Sequence, residues 1–207
     1  SPFELPITYF ISPGDSTPEN FRTKRDDLLA SIGSAVNLGV SFVQIREKLL
    51  PSSLVFDLVR SAVSITGSSK TLLLVNDRMD IAAAAGANGV HLTTTSLPPA
   101  VVRQSFGEKF LIAASAHSVG EAEGAARGGA DLIVFGPVYH SPGKGRPSGV
   151  EALRAVCGLL APFPVLALGG ITADNVSEVL GAGAAGFAGI RCFSDIRSLR
   201  SVLTATK

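Results

Sequence analysis

The sequence predicts a (β/α)₈ barrel formed as one domain over residues 1–207, and three observations predict it. Short apolar, β-branched runs recur eight times, a segment with helical spacing follows each, and polar residues gather after nearly every run. Eight buried strands alternating with helices in 207 residues is the pattern of such a barrel near its smallest size. An open doubly wound sheet alternates strands and helices too, but it needs a point where strand order reverses, and the regular repeat offers none. In a barrel the carboxyl ends of the strands form one rim, so the active site is expected there.

Strands are expected at 7–11, 42–45, 71–75, 89–92, 110–113, 132–135, 165–168 and 186–190. Helical spacing falls at 26–38, 54–65, 79–85, 97–105, 120–126, 149–160, 173–180 and 194–202. Small-residue hinges close several helices and lead into strands: Leu38-Gly39-Val40, Ala85-Gly86-Ala87, Gly128-Gly129-Ala130 and Gly181-Ala182-Gly183-Ala184. The last belongs to a G-x-G-x-x-G match, Gly181 to Gly186. A dinucleotide fingerprint needs a strand before it and a helix after it, and here the order is inverted.

Composition narrows the partner. Hydrophobic residues at 46%, charged residues at 17% and 22 glycines suit a parallel α/β protein with tight turns. A net charge of +1 without a basic run argues against nucleic acid and membrane surfaces, both of which need a concentrated positive field, so the ligand should be a small molecule. Cys157 and Cys192 lack the spacing of a disulfide framework or a zinc site, which fits a cytoplasmic protein. No run reaches the length of a membrane span, and no leader pattern stands at the amino end. Oligomeric state is left open, a homo-oligomer included.

The polar residues after the strands form a set. In Val43-Gln44-Ile45-Arg46-Glu47-Lys48 the alternation of side chains puts Gln44, Arg46 and Lys48 on one face, while Ile45 and Glu47 point the other way. An amide, a guanidinium and an ammonium together suit phosphate or diphosphate, although such a cluster alone equally suits a strand end opening into solvent. Asn76-Asp77-Arg78 follows the third strand, where Asn and Asp could also just cap the next helix. Gly169-Gly170-Ile171-Thr172 and Gly189-Ile190-Arg191 follow the seventh and eighth, the usual barrel phosphate site. The long loop 139–149 carries Lys144 and reads as a lid bearing a cation. Of the histidines, His117 lies at a rim position between two serines, Ser115 and Ser118, and ranks above His91 and His140 as an acid or base; His91, inside an apolar run, suits a structural role.

Six motifs in order across nearly the whole chain resemble the thiamine phosphate synthase/TenI family: Val43 to Lys48, Val75-Asn76-Asp77-Arg78, Gly89-Val90-His91-Leu92, Ser115-Ala116-His117-Ser118, Gly136-Pro137-Val138-Tyr139 with Lys144, and Ala167 to Thr172. The resemblance implies a (β/α)₈ barrel of thiamine biosynthesis. In the synthases, hydroxymethylpyrimidine diphosphate loses pyrophosphate and its methylene carbon is captured by the ring nitrogen of a thiazole phosphate; TenI-like relatives include a thiazole tautomerase. Carried over by position, the synthase pattern places Gln44, Arg46, Lys48, Asn76 and Lys144 around the diphosphate and Asp77 on Mg²⁺. It sets Ser115 near the pyrimidine, and Gly170 with the backbone of Gly189 and Ile190 around the thiazole phosphate. Ser115, Lys144 and His117 are then the catalytic candidates.

This chain departs from the pattern in two ways. Ser96, in Thr93-Thr94-Thr95-Ser96, occupies the position of a second acidic Mg²⁺ ligand, so the metal is expected to bind weakly, and the loop around Lys144 is short. The leading expectation is a Mg²⁺-dependent transferase making thiamine phosphate. The alternatives are a metal-free tautomerase using His117 and a non-catalytic protein that binds a thiamine precursor.

Overall fold

A computed structural model describes residues 3–143, 145–191 and 196–206. Among these, eight strands pair in parallel in sequence order: β1 (Ile7–Ile11), β2 (Phe42–Ile45), β3 (Leu72–Asn76), β4 (Gly89–Leu92), β5 (Leu111–Ala116), β6 (Leu132–Phe135), β7 (Val165–Leu168) and β8 (Gly186–Gly189). Strand β8 returns to β1, with Ile7 opposite Gly186 and Phe10 opposite Gly189, and the barrel closes. The helices are α1 (Phe21–Asn37), α2 (Ser52–Thr66), α3 (Met79–Ala85), α4 (Pro99–Phe106), α5 (Val119–Arg127), α6 (Gly149–Leu160), α7 (Val176–Gly181) and α8 (Ile196–Ala205). The predicted (β/α)₈ architecture is the observed one.

Two apolar layers follow from the period-2 alternation of the strands. Residues such as Ile7, Phe42, Leu132 and Leu166 fill the barrel interior, while Val43, Val75, Ile133 and Phe187 pack outward against the helices. Phe3 sets its ring edge against Phe42, 5.1 Å between centroids, and joins the interior layer. The interior turns polar toward the carboxyl ends of the strands, where Gln44, His91 and Ser115 take part in hydrogen bonds.

The predicted hinges share one geometry. At Gly39, Gly86, Gly129 and Gly183 the chain takes a positive φ, the glycine N–H reaches back three residues, and the following N–H reaches back five. This is the Schellman closure, which satisfies the last carbonyls of a helix while aiming the chain into the next strand. The G-x-G-x-x-G match lies between α7 and β8, in the inverted context that its sequence suggested.

Some boundaries differ from expectation. Helix α1 starts at Phe21 rather than 26, because its first turn, Phe21-Arg22-Thr23-Lys24, carries a single apolar side chain and shows no periodicity. Helix α7 starts at Val176 rather than 173, since the Asn175 side chain accepts from the Thr172 N–H and holds 172–175 as a turn. Strand β5 runs on to Ala116, three residues beyond the predicted end, carrying Ser115 within the sheet. Helix α8 extends to Ala205, and the predicted start at 194 lies outside the described residues.

Candidate active site

The floor of the site is a buried hydrogen-bond chain crossing the barrel from β2 to β5. The Gln44 amide nitrogen donates to the Tyr9 hydroxyl at 3.1 Å, Tyr9 meets His91 Nδ1 at 2.9 Å, and His91 Nε2 meets the Ser115 hydroxyl at 2.8 Å. Gln44, Tyr9 and His91 are all at most 3% exposed, which makes an unpaired donor among them costly. That condition fixes the direction of the chain. Tyr9 accepts from Gln44, so its own proton goes to His91 Nδ1, and the imidazole proton sits on Nε2 and points at Ser115. The imidazole is neutral, because burial, reinforced by the positive field of Arg46 and Lys48, lowers its pKa to about 3. Burial holds the Tyr9 phenol far above its ordinary range, so it keeps its proton. Ser115, half-buried, receives this chain and faces the rim.

Arg46 and Lys48, just after β2, both act electrostatically on His91. Gln44 points inward as the alternation predicted, and it is buried with one amide N–H on Tyr9. Arg46 is half-buried and Lys48 exposed; among the described residues no carboxylate forms an ion pair with Arg46. Arg78 is different: it grips the Asp80 carboxylate through two nitrogens, at 2.6 and 2.9 Å, and reaches Ser52.

Strand β3 brings the next pair. Asn76 lies opposite His91 in the β3–β4 register, and the Asp77 N–H donates to the His91 carbonyl at 2.9 Å. Asp77 is exposed at φ +55, and among the described residues no other non-glycine residue has a positive φ. Such a conformation costs on the order of 1–3 kcal/mol and concentrates at functional positions. Ser96 closes a local turn at the end of β4, its hydroxyl accepting from the Thr93 N–H at 2.8 Å and bonded to the Thr93 hydroxyl at 2.9 Å. Among the described residues no three acidic, histidine or cysteine side chains cluster as a metal site.

His117 is exposed at the β5 end, with its Nδ1 on the Gly136 carbonyl. A carbonyl only accepts, so Nδ1 carries the proton and Nε2 is left as the basic nitrogen. Across β6 and β7, the Val138 and Tyr139 N–H groups extend the pairing to Leu168 and Gly169. Ser148 and Gly149 return to Pro137 and Val138, which ties both ends of the 139–149 loop to the barrel. Tyr139 donates to Glu178 at 2.5 Å, and its phenol is pushed up to about 12 by desolvation and then by that carboxylate. Lys144, the cation expected on this loop, lies outside the described residues. Gly189 is buried and Ile190 half-buried where β8 ends.

Gly170 has φ +67, and a Cβ there would fall 2.7 Å from Tyr139 Cβ and 2.8 Å from the His140 carbonyl. Gly170→Ala is therefore expected to lower stability by about 1–3 kcal/mol, a melting shift of roughly 2–4 °C per kcal/mol that thermal unfolding would read.

The sequence reading missed Tyr9, Ser12, Gly14 and Glu47. A tyrosine at an inward position between Ile7 and Ile11 was one available signal, since a buried phenol needs a partner. The run Ser12-Pro13-Gly14-Asp15-Ser16 after the first strand was the other. Cys157 is buried, with its thiol pushed up to about 11, which suits packing rather than nucleophilic chemistry; Cys192 lies outside the described residues.

Residues 9–193 match the family model described as "Thiamine monophosphate synthase". Among curated proteins, a putative thiamine-phosphate synthase of Geobacter sulfurreducens is 47% identical over 78% of this chain and 77% of its own length. A thiamine-phosphate synthase of Methanoculleus marisnigri is 39% identical over 93% of this chain and 94% of its own. Among solved structures, the thiamine phosphate pyrophosphorylase of Pyrococcus furiosus superposes with a TM-score of 0.83 at 28% identity, covering 97% of this chain and 95% of that one.

Proposed function

This chain belongs to the thiamine monophosphate synthase family, and we propose that it is a synthase proper, a transferase of thiamine biosynthesis that couples hydroxymethylpyrimidine diphosphate to a thiazole phosphate. What supports this reading is that Arg46 and Lys48 both act electrostatically on the neutral, buried His91, opposite which Asn76 lies with Asp77 bonded to its carbonyl. In the reaction the bond between the pyrimidine methylene carbon and the diphosphate oxygen breaks, and a bond from that carbon to the thiazole nitrogen forms. Negative charge gathers on the departing diphosphate, so cations fixed beforehand lower the barrier. Arg46, Lys48 and Lys144 are the cations assigned that role, with the Asn76 and Gln44 amides as neutral donors to the same diphosphate. Ser115 orients the pyrimidine, and Gly170 with the backbone of Gly189 and Ile190 holds the thiazole phosphate.

The residues present fit Mg²⁺ in a sparse form. The exposed, strained Asp77 offers one carboxylate, while the Ser96 hydroxyl is engaged in its own turn. Mg²⁺ often binds through one or two carboxylates plus substrate phosphates and water. Held by Asp77, it would supply further neutralisation of the leaving diphosphate. The substrates are small and phosphorylated, and we place the reaction in the cytoplasm. Among the described residues no helix is long and apolar enough to cross a membrane.

A second reading, thiazole tautomerase, draws on His117, whose fixed tautomer leaves Nε2 ready to move a proton. One titration separates the two. For the synthase, product formation rises with Mg²⁺, Ser96→Asp lowers the Mg²⁺ concentration required, and Asp77→Asn raises it. For the tautomerase, these changes and EDTA matter little, and His117→Gln lowers activity by about 10²–10⁴-fold. Metal-independent isomerisation without coupling at any Mg²⁺ concentration would overturn the synthase reading.

A further inference from the structure

Glu47 lies in sequence between the two cations that follow β2, yet it is only 4% exposed. A carboxylate this buried needs strong partners. Glu47 takes three, all from the loop that joins β1 to α1: the Ser12 hydroxyl at 2.5 Å, the Gly14 N–H at 3.0 Å and the Ser16 N–H at 3.0 Å. The Ser12 hydroxyl spends its proton on Glu47 and accepts the Arg46 N–H at 2.8 Å, so one oxygen ties both neighbouring residues to the loop. Gly14, at φ +79, presses on Arg46: a Cβ there would fall 2.8 Å from Arg46 Nη1 and 2.9 Å from the Arg46 carbonyl.

We propose that Glu47 is a positioning residue that folds the 12–16 loop into a wall behind the Arg46 guanidinium and so sets its aim at the diphosphate. The inference rests on the reading that Arg46 meets a diphosphate. A carboxylate suits this task where an amide does not. Three donors converge on its two oxygens, whereas glutamine would turn an NH₂ group toward at least one of them. Gly14 completes the wall, since any side chain would displace the guanidinium or the loop. An Arg held this way has lost its rotamer freedom before the ligand arrives, which strengthens each bond that it then makes.

The test is binding of inorganic diphosphate in the presence of Mg²⁺, with the thiazole phosphate as control ligand, measured calorimetrically for Arg46→Ala, Glu47→Gln, Gly14→Ala and the double variant Arg46→Ala/Glu47→Gln. Glu47→Gln and Gly14→Ala are each expected to weaken diphosphate binding by about tenfold or more and to leave thiazole phosphate binding unchanged. In the Arg46→Ala background, Glu47→Gln should add nothing further, because Glu47 acts through Arg46. Equal losses for both ligands, or a full additional loss in that background, would show a general scaffold and overturn the inference while leaving the reading of Arg46 intact. If Arg46→Ala itself binds diphosphate undiminished, the reading of Arg46 falls and the inference with it. Should Glu47→Gln fail to fold, Gly14→Ala decides by the same comparison of ligands.

Discussion

Arg46→Ala is expected to lower kcat/KM for the coupling reaction by about 10²–10³-fold, the loss typical when one preorganised donor is removed from charge that develops in the transition state. The expectation rests on its place above the neutral floor of Tyr9 and His91 and on the absence of a paired carboxylate among the described residues. Arg46→Lys should fall between the two, since lysine keeps the charge but loses the planar fork. Arg78→Ala is the control. Arg78 follows the neighbouring strand but spends its guanidinium on Asp80 and Ser52, an exposed arrangement worth at most about 1 kcal/mol, so turnover should be unchanged. Steady-state kinetics with each substrate varied in turn would check the set. Equal losses for Arg46→Ala and Arg78→Ala would point to general surface charge in place of a directed contact.

The contrast between these arginines shows what the sequence could tell. Strand alternation is local, so the inward direction of Gln44 was legible, and so were the hinges at Gly39, Gly86, Gly129 and Gly183, whose hydrogen bonds span five residues or fewer. The commitment of Arg78 to Asp80 was also readable, since the partner lies two positions away. Depth was harder. Gln44 was expected against the ligand, and local periodicity carries no information about the bond that one of its amide N–H groups makes to Tyr9, 35 positions earlier. Glu47 is the sharpest instance. Its three donors lie 31 to 35 positions upstream and arrive only when β1 and β2 pair, so its charge in a basic strand end had no local explanation.

His91 should make the fold acid-sensitive from pH 6.5 downward, above the range where carboxylates contribute most. Its pKa is lowered from 6.5 to about 3 in the folded chain, first by burial and then by Arg46 and Lys48. Below pH 6.5 the unfolded chain binds a proton at this residue and the folded chain does not, so stability is full above that pH and falls as pH drops toward 3. Each unit within the window removes up to about 1.4 kcal/mol, so the loss by pH 4.5 is roughly 2.7 kcal/mol. Asp80, whose carboxyl is held below its ordinary value of 3.8 by Arg78, adds its own loss only near and below that value, so the interval from pH 6.5 to 4.5 reads chiefly the histidine. His91→Gln offers an acceptor to Tyr9 and a donor to Ser115 without a titrating group, so its stability should change less between pH 6.5 and 4.5 than that of the wild type. Urea unfolding at several pH values reads the difference directly: curves that converge as pH falls support a neutral His91 at the floor of the site, and parallel curves would mean that the imidazole accepts a proton without cost. Protonation within the folded chain, reached only near pH 3, would fill Nδ1, the atom that receives the Tyr9 hydroxyl, so the chain ending at Ser115 should hold through the interval in which stability is lost and break only at its lower end.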